Sequence, residues 1–284
     1  MRSLWFGVLV CAAMFVACGD DDSDFMTRPS DGSSSSVCED CDDASSSSAM
    51  SSSSSAKSSS SAKSSSSSAE SSSSSVTLAT PCKTETEDNC EYGKLKDDRD
   101  GQTYKTVKIG KQWWMAENLN FETDSSFCYN DSAEYCEKYG RLYRWAAAVG
   151  ESERECGYVN TCALPSGSIQ GVCPSGWHLP GKAEWETLFN AVGGQSTAGK
   201  VLKSTSGWNS NGNGTDAFGF SVLSVVLRDR DGNFDGEGDD AHFWSSTESS
   251  SFLAYRVALD CYGDNAYLGH NFKYYGFSVR CVKD

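Results

Sequence analysis

A cysteine, a turn-rich run and a helical apolar pattern, in immediate succession, constrain this chain more than any other stretch. Residues 173–192 read Cys-Pro-Ser-Gly-Trp-His-Leu-Pro-Gly-Lys-Ala-Glu-Trp-Glu-Thr-Leu-Phe-Asn-Ala-Val. Trp185, Leu188, Phe189 and Val192 fall at i, i+3, i+4 and i+7, one apolar face at helical period. Pro180 excludes helix before it, and Gly193-Gly194 closes it, so the pattern predicts a helix over 182–192. Gly181 stands at the N-cap position with Glu184 three residues on, half of a capping box.

Residues 277–282 supply a partner. Phe277, Val279 and Cys281 share one face of an alternating strand; Ser278, Arg280 and Val282 share the other. Turning Phe277 and Val279 to the core takes Cys281 with them. A Cys173–Cys281 bridge would then tie the start of the helix to this strand.

The run Gly-Trp-His-Leu-Pro-x-x-x-Glu-Trp over 176–185, with Gly-Phe-Ser-Val-Arg-Cys-Val over 276–282, resembles the Fibrobacter succinogenes major paralogous domain. Asp-Gly-Gln-Thr-Tyr-Lys-Thr-Val-Lys-Ile-Gly at 100–110, Trp-Met-Ala-Glu-Asn-Leu-Asn at 114–120, Tyr-Gly-Arg-Leu-Tyr-Arg-Trp at 139–145 and Trp-Ser-Ser-Thr at 244–247 fit in the same order. The resemblance implies kinship with C-type-lectin and formylglycine-generating-enzyme folds. It carries a fold and a cellular address more than a chemistry.

The start of the chain reads as an export signal. Arg2 precedes an apolar run, 4–16, too short to span a bilayer comfortably. Val16-Ala17-Cys18 resembles a lipobox with Phe15 in place of the usual Leu, which predicts a signal over 1–18 and lipidation of Cys18. Acyl chains on Cys18 would hold the protein on the outer membrane or cell surface. Asp20, Asp21, Asp22 and Asp24 follow, as in surface-exported lipoproteins. Residues 33–75 are mostly serine and have too little apolar surface to offset ordering entropy, so 19–81 is expected to be a disordered spacer and 82–284 the folded head.

Thirteen cysteines with an export signal imply an oxidising compartment. Neighbours in polar stretches suggest the pairs Cys82–Cys90, Cys128–Cys136 and Cys156–Cys162, with Cys173–Cys281 as the long bridge and Cys261 left over. Spacing alone leaves the connectivity open. Cys38 and Cys41 form a Cys-x-x-Cys inside the spacer, without a second pair for zinc.

Within the head, 104–109 and 112–115 read as a hairpin turning on Gly110-Lys111. Residues 141–149 read as a first helix and 182–192 as the second. The Gly-, Asn- and Asp-rich region 204–240 reads as irregular, and 241–245, 252–259 and 277–282 as strands. The expectation is an α+β, C-type-lectin-like, disulfide-stabilised domain with two helices, a small antiparallel sheet and a long irregular loop region.

The net charge is −15; residues 1–81 hold ten acidic and four basic side chains and the remainder 29 and 20. No basic patch interrupts this acidity, which argues against a nucleic-acid partner. His178, His242 and His270 are too scattered for a zinc motif, and His178, inside the turn, reads as a packed, hydrogen-bonded residue. Asp231, Asn233, Asp235 and Asp239 place hard oxygen ligands at short intervals, so calcium is the one cofactor the chain suggests; the alternative is a solvated acidic turn. Trp208 with Asn209, and Tyr274 with Tyr275, offer aromatic faces beside polar neighbours for stacking on sugars, or else belong to the core. The function expected is a cell-surface lipoprotein with a non-catalytic binding or adhesion head for polysaccharide or envelope partners. Its alternatives are an enzyme of formylglycine-generating type working through Cys261, and a structural envelope protein.

Overall fold

The computed structural model describes residues 78–284 apart from Val226. Cys18, Cys38, Cys41 and almost all of the serine spacer therefore lie outside the described residues. The head runs β1 (Tyr92–Lys96), β2 (Thr103–Ile109), β3 (Gln112–Met115), β4 (Ser126–Phe127), α1 (Ala133–Tyr139), β5 (Leu142–Tyr143), α2 (Trp145–Ala148), α3 (Glu153–Cys156) and β6 (Trp177–His178). It continues α4 (Lys182–Ala191), α5 (Gln195–Leu202), β7 (Leu227–Arg228), β8 (Phe234–Asp235), β9 (Asp240–Glu248), β10 (Leu253–Asp260), β11 (Ala266–Phe272) and β12 (Val282–Lys283).

These strands make four antiparallel sheets: β1-β2-β3-β12-β6, β11-β10-β9, and the pairs β4-β5 and β7-β8. The expected layout of two helices on one small sheet beside a long irregular region is overturned. The chain is dominated by several small sheets, with five short α-helical segments among the described residues. Three causes account for the difference. Residues 141–149 do not form one helix, because Tyr143 exchanges backbone hydrogen bonds with Phe277 at 2.8 and 3.0 Å and is extended there. Gly193 and Gly194 end α4 but both adopt positive φ, a conformation that turns the chain straight into α5. The acidic region 204–240 contains the β7-β8 hairpin.

Other expectations hold. Ile109 pairs with Gln112, leaving Gly110-Lys111 as a two-residue turn with Gly110 at φ 60. Helix α4 is capped by Gly181, whose N–H donates to Glu184 Oε2 at 2.8 Å. Its apolar face enters a core with Trp114, Phe220, Phe243 and Val257, and the Trp114 and Trp185 rings lie 4.7 Å apart. A second core gathers Tyr143, Trp145, Trp177, Leu179, Trp244 and Phe277. Burial of each such large side chain contributes about 1.5–3 kcal/mol.

The four expected disulfides are present: Cys82–Cys90, Cys128–Cys136, Cys156–Cys162 and Cys173–Cys281. Phe277, Val279 and Cys281 all face the second core, as alternation predicts, while Val282 joins the first. Segment 277–282 thus runs between the two cores, although only Val282 of it lies in a ladder strand. Its backbone bonds go to several neighbours: Trp244 and Leu119 donate to Ser278 and Val279 at 3.1 and 2.9 Å, and Met115 donates to Cys281 at 3.0 Å. Arg280, fully buried, donates Nε to Asn118 Oδ1 at 2.8 Å and its other nitrogens to the Phe220 and Ser221 carbonyls. Burial pushes its pKa down to about 9.

Candidate ligand-binding surface

The acidic segment forms a hairpin rather than a cage. Asn233 donates its backbone N–H and Nδ2 to Asp229, at 2.8 and 3.0 Å, which closes the turn around Asp231. Asp235 pairs with Leu227 in the strand, and Asp239 accepts from Asn209 Nδ2 at 3.1 Å. The hairpin holds Asp231, Asn233 and Asp235 at separate points along its length, and Asp239 lies beyond it, in the turn before β9. Among the described residues no three His, Cys, Asp or Glu side chains gather around one point.

Trp208 does not offer its face to a sugar. It is 5% exposed and packs in the first core, with Nε1 donating to Ser204 Oγ at 3.1 Å and the Val222 carbonyl at 3.2 Å. Its neighbour Asn209 is held by Asp239 and the Gly238 carbonyl. This pair is structural.

Tyr274 and Tyr275 belong instead to an aromatic cluster at one end of the β9-β10-β11 sheet. Tyr274 stacks on Phe272 with centroids 5.2 Å apart and planes 11° from parallel. Tyr158, which follows α3, meets Tyr274 at 5.0 Å, Phe252 at 5.2 Å and Phe272 at 6.0 Å, each edge to face. Such geometries suit the ring quadrupole. Phe252 is 43% and Phe272 39% exposed, so the cluster forms a surface platform. Tyr275 lies 4.9 Å from Tyr274 and connects it inward, parallel to Phe277 at 5.7 Å. Lys273, between the two platform residues, is fully buried. Its Nζ pairs with Glu248 Oε1, donates to the Asn160 carbonyl at 2.7 Å and lies 4.6 Å from the centre of the Trp145 ring.

Sequence reasoning missed Tyr158, Phe252 and Phe272. Phe252 did leave a signal: it ends a run of three serines in a turn, where no core periodicity calls for an aromatic ring.

A cleft of about 510 Å³ lies between Cys162–Ile169, the start of α4 and the end of β9. Leu164, Ser168, Ala183, Ser246, Thr247 and Glu248 line it. Thr247 Oγ1 accepts from the Lys182 N–H at 3.0 Å, and Glu248 Oε1 accepts from the Cys162 N–H at 3.0 Å. Glu184, also on the wall, contacts His178 Nε2 at 2.7 Å, and His178 Nδ1 contacts Asp284 at 2.6 Å. The Glu184 hydrogen bond, reinforced by Asp284, holds the His178 pKa above the usual range against the opposing effect of burial. His178 is thus the packed, hydrogen-bonded residue its turn suggests.

His242 contrasts with it. It is 7% exposed, stacks on Phe277 at 4.8 Å, and its Nδ1 meets no hydrogen-bond partner among the described residues. Burial pushes its pKa down to about 3, and the charge of Arg256 acts in the same direction. Among the described residues Cys261 is a buried free thiol, with Sγ 3.6 Å from Asp239 Oδ1.

A family model described as the Fibrobacter succinogenes major domain matches residues 107–283, well over half of the chain. No curated protein and no solved structure matches it.

Proposed function

This chain belongs to the Fibrobacter succinogenes major domain family, and from that premise we propose that its head is a non-catalytic adhesion module that holds polysaccharide on the Tyr158/Phe252/Phe272/Tyr274 platform. The observation that carries this reading is the exposure of Phe252 and Phe272 in a cluster already ordered by edge and stacking contacts. A sugar ring has a C–H face that an aromatic face accepts, and rings held in place lose little entropy on binding. The pair that buried Lys273 makes with half-buried Glu248 fixes the chain that carries the platform.

We further infer that acyl chains on Cys18 and the serine spacer display this head on the outer membrane or cell surface, away from the lipid. Cys18→Ala is expected to abolish lipid labelling and release the protein from membranes; continued membrane fractionation would refute the anchor. The enzyme alternative would require the Cys261 thiol. Cys281, the partner it would need, is engaged with Cys173.

The test is retention of the full chain on insoluble plant polysaccharides. The parent is expected to be retained and Phe252→Ala/Phe272→Ala to wash through, with unchanged thermal unfolding. Equal retention of both proteins, or no retention of the parent, overturns the adhesion reading.

A further inference from the structure

Resting on that adhesion reading, we propose that the cleft beside the platform is its selectivity subsite and takes one ring of a neutral glycan. Position is the first argument. One stretch of chain borders both features: Tyr158 stands in the platform, and Leu164 and Ser168 stand in the cleft wall. Glu248 lines the cleft and Phe252, four residues on, lies in the platform. Lys273 joins the two directly, since it pairs with Glu248 while its chain neighbours are Phe272 and Tyr274. The cleft volume, about 510 Å³, falls within the roughly 300–1,000 Å³ typical of small-ligand sites.

Charge selects the class. Two carboxylates and one ammonium line the cleft, and each already has a partner: Glu248 the Lys273 ammonium, Glu184 the His178 ring and Lys182 the Glu186 carboxylate at 3.6 Å. A cationic ligand would compete with buried partners for both carboxylates. An anionic ligand would meet two carboxylates against the one Lys182 ammonium, which already faces Glu186, on a chain of net charge −15. A neutral ligand meets neither penalty.

The remaining groups suit hydroxyls. Ser168 and Ser246 present hydroxyls to the cleft, each able to donate and accept. Thr247 Oγ1 already accepts from Lys182, which leaves its O–H to donate. Ala183, in the first turn of α4, has an N–H with no intrahelical acceptor. Leu164, Pro165 and Ile169 provide apolar wall for a C–H face. Hydroxyl-rich polarity, apolar wall and balanced charge together describe a neutral pyranose better than a peptide terminus or a phosphate.

The test titrates the full chain with soluble tetrasaccharides: cellotetraose, xylotetraose and mannotetraose as neutral probes, tetragalacturonate as the anionic one and chitosan tetramer as the cationic one. At least one neutral probe is expected to bind and neither charged one to match it. Ser168→Trp, on an exposed loop position, is expected to weaken the neutral probe by about tenfold or more by filling the cleft, with unfolding unchanged. Equal binding of charged and neutral probes, no binding of any neutral probe, or parent-like affinity in Ser168→Trp overturns the subsite. The adhesion reading is judged separately. If insoluble polysaccharide still retains the parent and not Phe252→Ala/Phe272→Ala, the platform stands and the cleft alone fails.

Discussion

His242 makes the head sensitive to acid in a way that one substitution should remove. Its ring is buried against Phe277 and its pKa is held at about 3 by burial, with Arg256 adding to the effect. In the unfolded chain the same group titrates near 6.5. Below that pH the unfolded state takes up a proton that the native state refuses. The native advantage is therefore complete above about pH 6.5 and is lost as pH falls toward 3. At about 1.4 kcal/mol per pH unit, roughly 2 kcal/mol is lost by pH 5 and roughly 4–5 over the whole interval. His242→Phe keeps an aromatic ring on Phe277 but cannot titrate. For a domain of this size, about 2 kcal/mol corresponds to roughly 4–8 °C in Tm. Calorimetry of parent and variant at matched pH values should show the parent losing that much more than the variant between pH 7 and pH 5. Parallel pH profiles would refute the reasoning. The difference between the proteins is the quantity to read, because His178 pulls the parent the other way.

His178→Gln should destabilise the head most in acid. The Glu184 bond contributes about 1.5–3 kcal/mol and the bond to largely exposed Asp284 at most about 1. Because the folded pKa is raised, this stability is fully present below the unfolded pKa and fades as pH rises through the folded one, so the gap between parent and variant in urea midpoints should narrow toward alkaline pH. Replacing Cys173 and Cys281 together by Ala should cost about 2–5 kcal/mol, measured by urea unfolding, and a variant as stable as the parent would contradict the bridge. Non-reduced digests should yield the four joined pairs and a Cys261 peptide that alkylates only after unfolding. Millimolar calcium should leave Tm unchanged in both the parent and Asp231→Asn/Asp235→Asn; a calcium-dependent rise that the variant lacks would mean the hairpin rearranges into a cage.

Much of the framework was legible because its signals are local. The helix face from Trp185 to Val192, the Gly110-Lys111 turn and the parity of Phe277, Val279 and Cys281 each follow from the period of one short segment. The losses came where the deciding partner is far along the chain. Strand β1 contains Gly93 and two exposed lysines, with Leu95 alone buried, so it looks like a loop until β2 pairs with it. Strand β11 mixes Gly269, His270 and Asn271, and its order comes from a seven-pair ladder with β10 rather than from its own composition. Helix α5 was hidden behind two glycines that read as a stop but act as a corner. At the candidate site, Tyr274 was visible as an aromatic with polar neighbours, whereas Trp208 had the same look and is core. What separates them is the pair of carbonyl and hydroxyl acceptors that Trp208 finds at Val222 and Ser204, which no window around residue 208 contains in full.

The placing of segment 277–282 between the two cores has a kinetic meaning. Its partners were laid down long before it: Arg280 meets Asn118 across 162 residues, and Cys281 meets Cys173 across 108. Each contact closes a large loop, and that entropy is lost before the contact returns anything. A chain stopped short of residue 277 therefore lacks Phe277, Val279 and Cys281 from the second core and Val282 from the first. Acquisition of the native head is expected to be a late, cooperative event, slow by the standard of helical domains.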